Sequence, residues 1–142
     1  GADARQAGAP APPLRLMVVD DNVDAAEVLS MLLEAAGHEV AIAHESLRAL
    51  ELARNERPDV CLLDIGLPGM DGNELAQRLR AQAETSSAVL VAVTGYGQAE
   101  DRQRSLESGF DHHLVKPVDY DELSAVLESA GTAKSGRQAA SA

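Results

Sequence analysis

The sequence predicts an open α/β fold in which a five-stranded parallel sheet carries helices on both faces. Three observations lead there. Short apolar runs alternate five times with stretches of helical periodicity over residues 14–130. The runs are apolar at consecutive positions, as expected of strands buried on both sides. Four of the five runs end on polar, chemically capable residues, which in such folds would share the carboxyl edge of the sheet, where ligands bind.

The elements follow in order. Leu14–Asp20 (LRLMVVD) is the first strand. Residues 22–36 place Val23, Ala26, Leu29, Leu32 and Leu33 on a helical stripe that Gly37 closes. His38–Ala43 is the second strand and 47–55 the second helix, after which Pro58 breaks the chain. Asp59–Asp64 (DVCLLD) is the third strand, 72–83 the third helix and Ala88–Thr94 the fourth strand. A polar helix over 98–107 ends at Gly109. His112–Val115 is the fifth strand, and 119–130 the last helix, with Asp119 and Glu122 spaced as a capping box. The Ala-, Gly- and Pro-rich residues 1–13 and the similar 131–142 read as flexible linker or tail around a domain at 14–130. The chain begins at Gly1 rather than Met, as expected of a piece of something longer.

Composition narrows the function. At 142 residues the chain suits one domain, and with one Phe, two Tyr and no Trp its core must be aliphatic. A formal net charge of −11 argues against nucleic acid or an anionic membrane as partner, because phosphates would be repelled. One cysteine, Cys61, excludes an intramolecular disulfide. No apolar stretch approaches the roughly 18 residues of a membrane span, so a cytoplasmic location is expected.

The strand ends carry the chemistry. The first strand ends in Asp20-Asp21, the third in Asp64, the fourth in Thr94 and the fifth in Lys116. Taken singly, each has an ordinary reading. An Asp after a strand is commonly a turn former or cap, and a lone lysine is commonly a solvated surface group. Their coincidence at one edge is what those readings leave unexplained. Three crowded carboxylates repel one another and call for a hard divalent cation such as Mg²⁺. A carboxylate beside that cation can attack phosphorus, while a lysine and a hydroxyl neutralise the phosphoryl oxygens. Lys116 and Lys134 are the two lysines, so the domain's one lysine falls where that clamp is needed.

Asp20-Asp21, the segment 64–72 (DIGLPGMDG), Thr94-Gly95 and Lys116-Pro117 together resemble the receiver domains of two-component response regulators. The resemblance spans about residues 14–130. It implies a flavodoxin-like (βα)5 fold with strand order 2-1-3-4-5. It implies Asp64 as phosphoacceptor, and Asp20, Asp21, Asp64 and the Gly66 carbonyl around Mg²⁺, with Mn²⁺ able to substitute. Thr94 and Lys116 would contact the phosphoryl group, and the Lys116–Pro117 peptide would be cis. The partner implied is a histidine kinase or histidine phosphotransfer domain, and the module is a monomer or weak homodimer. It is not an enzyme in its own right, beyond catalysing its own phosphorylation and dephosphorylation. Phosphorylation would shift Thr94 and His113 and remodel the face made by the 98–107 helix, the fifth strand and the last helix.

Two positions depart from the family pattern. His113 stands where a Tyr or Phe is usual, and Gly95 where Ala or Ser is usual. Adjacent strand residues face opposite ways, so His112 and His113 do not form a metal pair. The stretches IGLPGMDG and GFDHHLVKPVD resemble receivers fused to hybrid histidine kinases in particular. Other readings fit less well. A phospho-aspartate phosphatase or mutase needs a second Asp two residues after the nucleophile, where this chain has Gly66. A flavodoxin-like cofactor binder needs a Ser/Thr/Gly loop after the first strand, and Asp20-Asp21-Asn22 would repel phosphate there. A docking-only receiver would have lost an acidic residue or the lysine.

Overall fold

The computed structural model describes residues 13–67, 69–95 and 109–141, the last ten as backbone only. Five strands, β1 (Arg15–Val19), β2 (Glu39–Ala43), β3 (Val60–Asp64), β4 (Val89–Thr94) and β5 (His112–Val115), form one sheet in the order β2-β1-β3-β4-β5. All four pairings are parallel. The described helices are α1 (Val23–Ala35), α2 (Ser46–Glu56), α3 (Gly72–Ala81) and α4 (Tyr120–Ser141). The expected helix over 98–107 lies outside the described residues.

Strand alternation sorts the core into two layers. Met17, Val19, Cys61, Leu63, Leu90 and Ala92 meet Ala49 and Ala53 of α2 and Leu75, Ala76 and Leu79 of α3. Leu16, Val18, Leu62, Val91 and Leu114 meet Ala26 and Leu33 of α1 and Leu123, Leu127 and Ala130 of α4. Burial on both faces is what the unbroken apolar runs demand. Cys61 lies at the centre of this, fully buried, and burial pushes its thiol up to about 12, so it is an inert core residue.

Helix ends follow local chemistry. Asn22 caps α1 by accepting from the Ala25 N–H at 3.0 Å, and Asp71 caps α3 by accepting from the Glu74 N–H at 3.0 Å. Gly37, at φ 102°, closes α1 while the His38 N–H donates to the Leu33 carbonyl. The buried face of α1 runs through Ala26, Leu29, Ser30 and Leu33, so two members of the expected stripe turn outward: Val23 and Leu32 are exposed. Periodicity locates an apolar stripe but not which edge of it the sheet covers.

The last helix also differs from expectation. It continues eleven residues past Ala130, to Ser141. Gly131 and Gly136 weaken a helix by about 1 kcal/mol each without stopping it, and no proline follows. At its start Asp119 accepts from the Asp121 N–H at 2.8 Å, one residue short of the capping-box position.

One glycine bears directly on the site. Gly72 opens α3 against the end of β3, and a Cβ there would lie 2.7 Å from the Asp64 carbonyl oxygen and 2.8 Å from Ile65 Cα. Both are backbone atoms that cannot swing aside. Gly72→Ala is therefore expected to cost about 1–3 kcal/mol in denaturant unfolding, although alanine is the better helix former. An unchanged midpoint would show that the helix start shifts freely.

Candidate functional site

The carboxyl edge of the sheet gathers the polar strand ends. β1 and β3 are hydrogen-bonded neighbours, so Asp20 and Asp64 emerge side by side. Oxygens of Asp20, Asp21 and Asp64 all lie within 4.8 Å of one another. Asp20 and Asp64 are each 9% exposed, whereas Asp21 faces solvent. Lys116 leaves β5 and turns its ammonium into this cluster, with Nζ 3.2 Å from Asp64 Oδ2 and 3.5 Å from Asp20 Oδ2. The Lys116–Pro117 peptide bond is cis.

Backbone amides hold the inner carboxylates. The Asn22 N–H donates to Asp20 Oδ1 at 2.9 Å, and the Gly66 N–H to Asp64 Oδ1 at 2.9 Å. Thr94 ends β4, buried, and its carbonyl accepts from the Lys116 N–H at 2.7 Å. His113 pairs in register with Ala92, two residues back from the edge and on the α2/α3 face. His112 pairs with Val91 and takes the α1/α4 face, so the two imidazoles do diverge across the sheet. The structure thus brings Asp20, Asp21, Asp64 and Lys116 together, with Gly66 on the same loop, and sets Thr94 at the same edge and His113 behind it.

Electrostatics show what the site lacks. Burial pushes the Asp20 carboxyl above its ordinary range, and the Asp64 charge adds to this; the Asn22 N–H and Lys116 pull the other way without prevailing. Burial alone would lower the Lys116 ammonium, but the Asp64 and Asp20 carboxylates outweigh it and raise it overall. Lys116 is therefore charged, and its single charge faces three carboxylates. Hard oxygen donors, a shortfall of positive charge and one solvent-facing ligand that leaves room for water fit a small divalent cation.

A pH signature follows. Because Asp20 holds its proton more tightly folded than unfolded, folding without a cation is favoured at low pH. That advantage is lost as pH rises from the ordinary aspartate value, about 3.9, through the raised one. In EDTA, Asp20→Asn is expected to unfold at a higher temperature than the wild type at pH 7.5, with the gap closing toward pH 4. A gap independent of pH would show that the carboxylate charge is not its source.

Two polar side chains at this edge were not singled out by motif. His44 follows β2 and places Nδ1 3.0 Å from the Asp20 carbonyl oxygen, and Ser46 donates through Oγ to the Met70 carbonyl at 2.6 Å. The edge rule applied to the second strand points to His44, so all five strand ends contribute to the edge. Beside the carboxylates an open groove of about 580 Å³ runs along α1, walled by Val28, Leu29, Leu32 and Val118.

Comparison with known proteins agrees with this geometry. Residues 16–128 match the family model of the response regulator receiver domain. An uncharacterised 14.6 kDa protein of Leptolyngbya boryana is 40% identical over 108 residues, which cover 76% of this chain and 82% of that protein. Sporulation initiation phosphotransferase F of Bacillus subtilis is 34% identical over 77% of this chain and 86% of its own length. Some relatives are much longer: the match covers 77% of this chain but only 45% of the DNA-binding dual master transcriptional regulator RpaA of Synechocystis, at 34% identity. Among solved structures, the receiver domain of sensor histidine kinase PA1611 from Pseudomonas aeruginosa has a TM-score of 0.77 at 26% identity. That likeness covers 85% of this chain and 99% of the other, which carries a magnesium ion in its active site cleft. With its sheet order, its acidic edge and a family match over most of its length, the chain belongs to the response regulator receiver family of two-component signalling.

Proposed function

We propose that this receiver takes a phosphoryl group onto Asp64 from a phosphohistidine of a histidine kinase or phosphotransfer protein. The observation that carries the reading is the three-carboxylate cluster with the Lys116 ammonium 3.2 Å from Asp64. An Asp64 carboxylate oxygen attacks phosphorus in line; the new P–O bond forms as the P–N bond breaks, and the imidazole leaves with the electron pair. Asp20, Asp21, Asp64 and the Gly66 carbonyl would hold Mg²⁺, which when bound screens the phosphoryl oxygens from the carboxylates. Mn²⁺, also a hard cation, would serve in its place.

The chain's own residues supply the rest. The Gly66 N–H orients the Asp64 carboxylate. Lys116 stands ready to move from carboxylate to phosphoryl oxygen, and the Thr94 hydroxyl to donate to another. Because Lys116 leads out of β5 and Thr94 out of β4, their movement reaches His113 and the face made by β5 and α4. New contacts to phosphoryl oxygens bias that face between two states. Water attack on phosphorus then returns Asp64 and free phosphate. The −11 formal charge disfavours nucleic acid and anionic membranes, which supports a protein partner.

The test is incubation with phosphoramidate, with and without Mg²⁺, followed by intact mass and hydroxylamine treatment. One phosphoryl group, gained only with Mg²⁺ and removed by hydroxylamine, is expected of an acyl phosphate. A hydroxylamine-resistant adduct, or none, would contradict it.

A further inference from the structure

We propose that the turn after β2, His44-Glu45-Ser46, is a brace that positions the carboxylates of the pocket, and that His44 thereby sets the affinity for divalent cation. This rests on the reading of the pocket as a Mg²⁺ site.

The turn holds both acidic loops. The Asp20 N–H donates to the Ala43 carbonyl at 3.1 Å, and His44 Nδ1 lies 3.0 Å from the Asp20 carbonyl oxygen. Two consecutive residues therefore hold both backbone groups of Asp20, while its Oδ1 accepts from the Asn22 N–H. A carbonyl only accepts, so Nδ1 must carry the hydrogen. Two residues on, buried Ser46 donates to the carbonyl of Met70, in the loop that runs from Asp64 through Gly66 to α3.

The consequence concerns Asp21. Its side chain is exposed, so packing restrains it little, and the Asp20–Asp21 peptide sets where it leaves the backbone. Affinity for a small cation depends on ligands held close to their bound geometry before binding. His44 fixes one side of that peptide and Ser46 steadies the facing loop. Both are positioning residues, since neither belongs to the carboxylate cluster. His44 is itself exposed, so shortening it removes a hydrogen bond and little packing.

Calorimetric titration with Mg²⁺ on the whole chain tests this, with wild type, His44→Ala, His44→Asn and Ser46→Ala, alongside thermal unfolding in EDTA. His44→Ala is expected to weaken Mg²⁺ about three- to five-fold and to lower the melting temperature in EDTA by only about 2–5 °C, the scale of one partly solvated hydrogen bond. His44→Asn should bind as the wild type does, because its amide nitrogen can take the place of Nδ1. Ser46→Ala should weaken Mg²⁺ by a similar factor. Equal affinity in His44→Ala and wild type, or no recovery in His44→Asn, would overturn the brace. Unchanged affinity in Ser46→Ala would remove the second loop from it. A wild type that takes no Mg²⁺ would overturn the pocket reading itself, a result distinguishable from failure of the brace.

Discussion

Asp64→Asn is expected to reduce phosphorylation by small donors by at least about a thousand-fold, below detection in a mass measurement. The change is nearly isosteric, yet an amide oxygen is neither anionic nor nucleophilic, and no neighbouring group replaces it. Asp20 and Asp21 are near enough to repel Asp64, but one oxygen of Asp20 is held by the Asn22 N–H and Asp21 faces solvent. Unfolding does not confound the result. Asp64 raises the Asp20 carboxyl, so removing its charge relieves repulsion, and the variant should melt no lower than the wild type in EDTA. Labelling of Asp64→Asn at the wild-type rate would mean that another side chain is the acceptor.

Lys116→Ala separates chemistry from signal. Among the described residues the lysine is the cation that faces both Asp64 and Asp20, and both carboxylates hold it charged. Its loss leaves the three carboxylates unopposed, so Mg²⁺ affinity should stay the same or rise slightly. What disappears is the group on β5 that moves toward a phosphoryl oxygen. Phosphorylation should slow, and the phosphorylated variant should leave the amide resonances of β5 and α4 near their unphosphorylated positions. In the wild type those resonances should shift on phosphorylation. Full shifts in Lys116→Ala would relocate the coupling to Thr94. Mg²⁺ affinity reduced ten-fold or more would show that Lys116 organises the pocket rather than reads it.

The sheet was legible because burial on both faces leaves unbroken apolar runs. The runs ending in Asp20, Asp64, Thr94 and Lys116 place their polar residues at one edge of any parallel sheet they form. The strand order itself came from the family resemblance, since a run of apolar residues does not say which neighbour it pairs with. Helix faces were less legible. Val23 and Leu32 share a stripe with Ala26 and Leu33, yet the packing of α1 on β1 and β3 covers only one side of it. The end of α4 was illegible for a different reason: glycine marks a helix end only when the chain turns there, and at Gly131 it does not.

The proximity of the three carboxylates was legible because carboxylates at strand ends need only the parallel sheet to meet. His44 and Ser46 were not, because each acts on a backbone carbonyl of another loop, at Asp20 and Met70. Hydrogen bonds from a side chain to a distant carbonyl leave no pattern in sequence. His113 stands between these cases, legible as a departure from the family aromatic and placed by register behind the edge, on the face of Ala92.

The central claim is that Asp64 is the phosphoacceptor, and borohydride trapping tests it most directly. After Mg²⁺-dependent phosphorylation, reduction of an aspartyl phosphate yields homoserine, which peptide mass spectrometry locates by residue. Homoserine at position 64 alone is the predicted result. Homoserine at position 20 or 21, or phosphate retained on a Ser, Thr or His, would contradict the account.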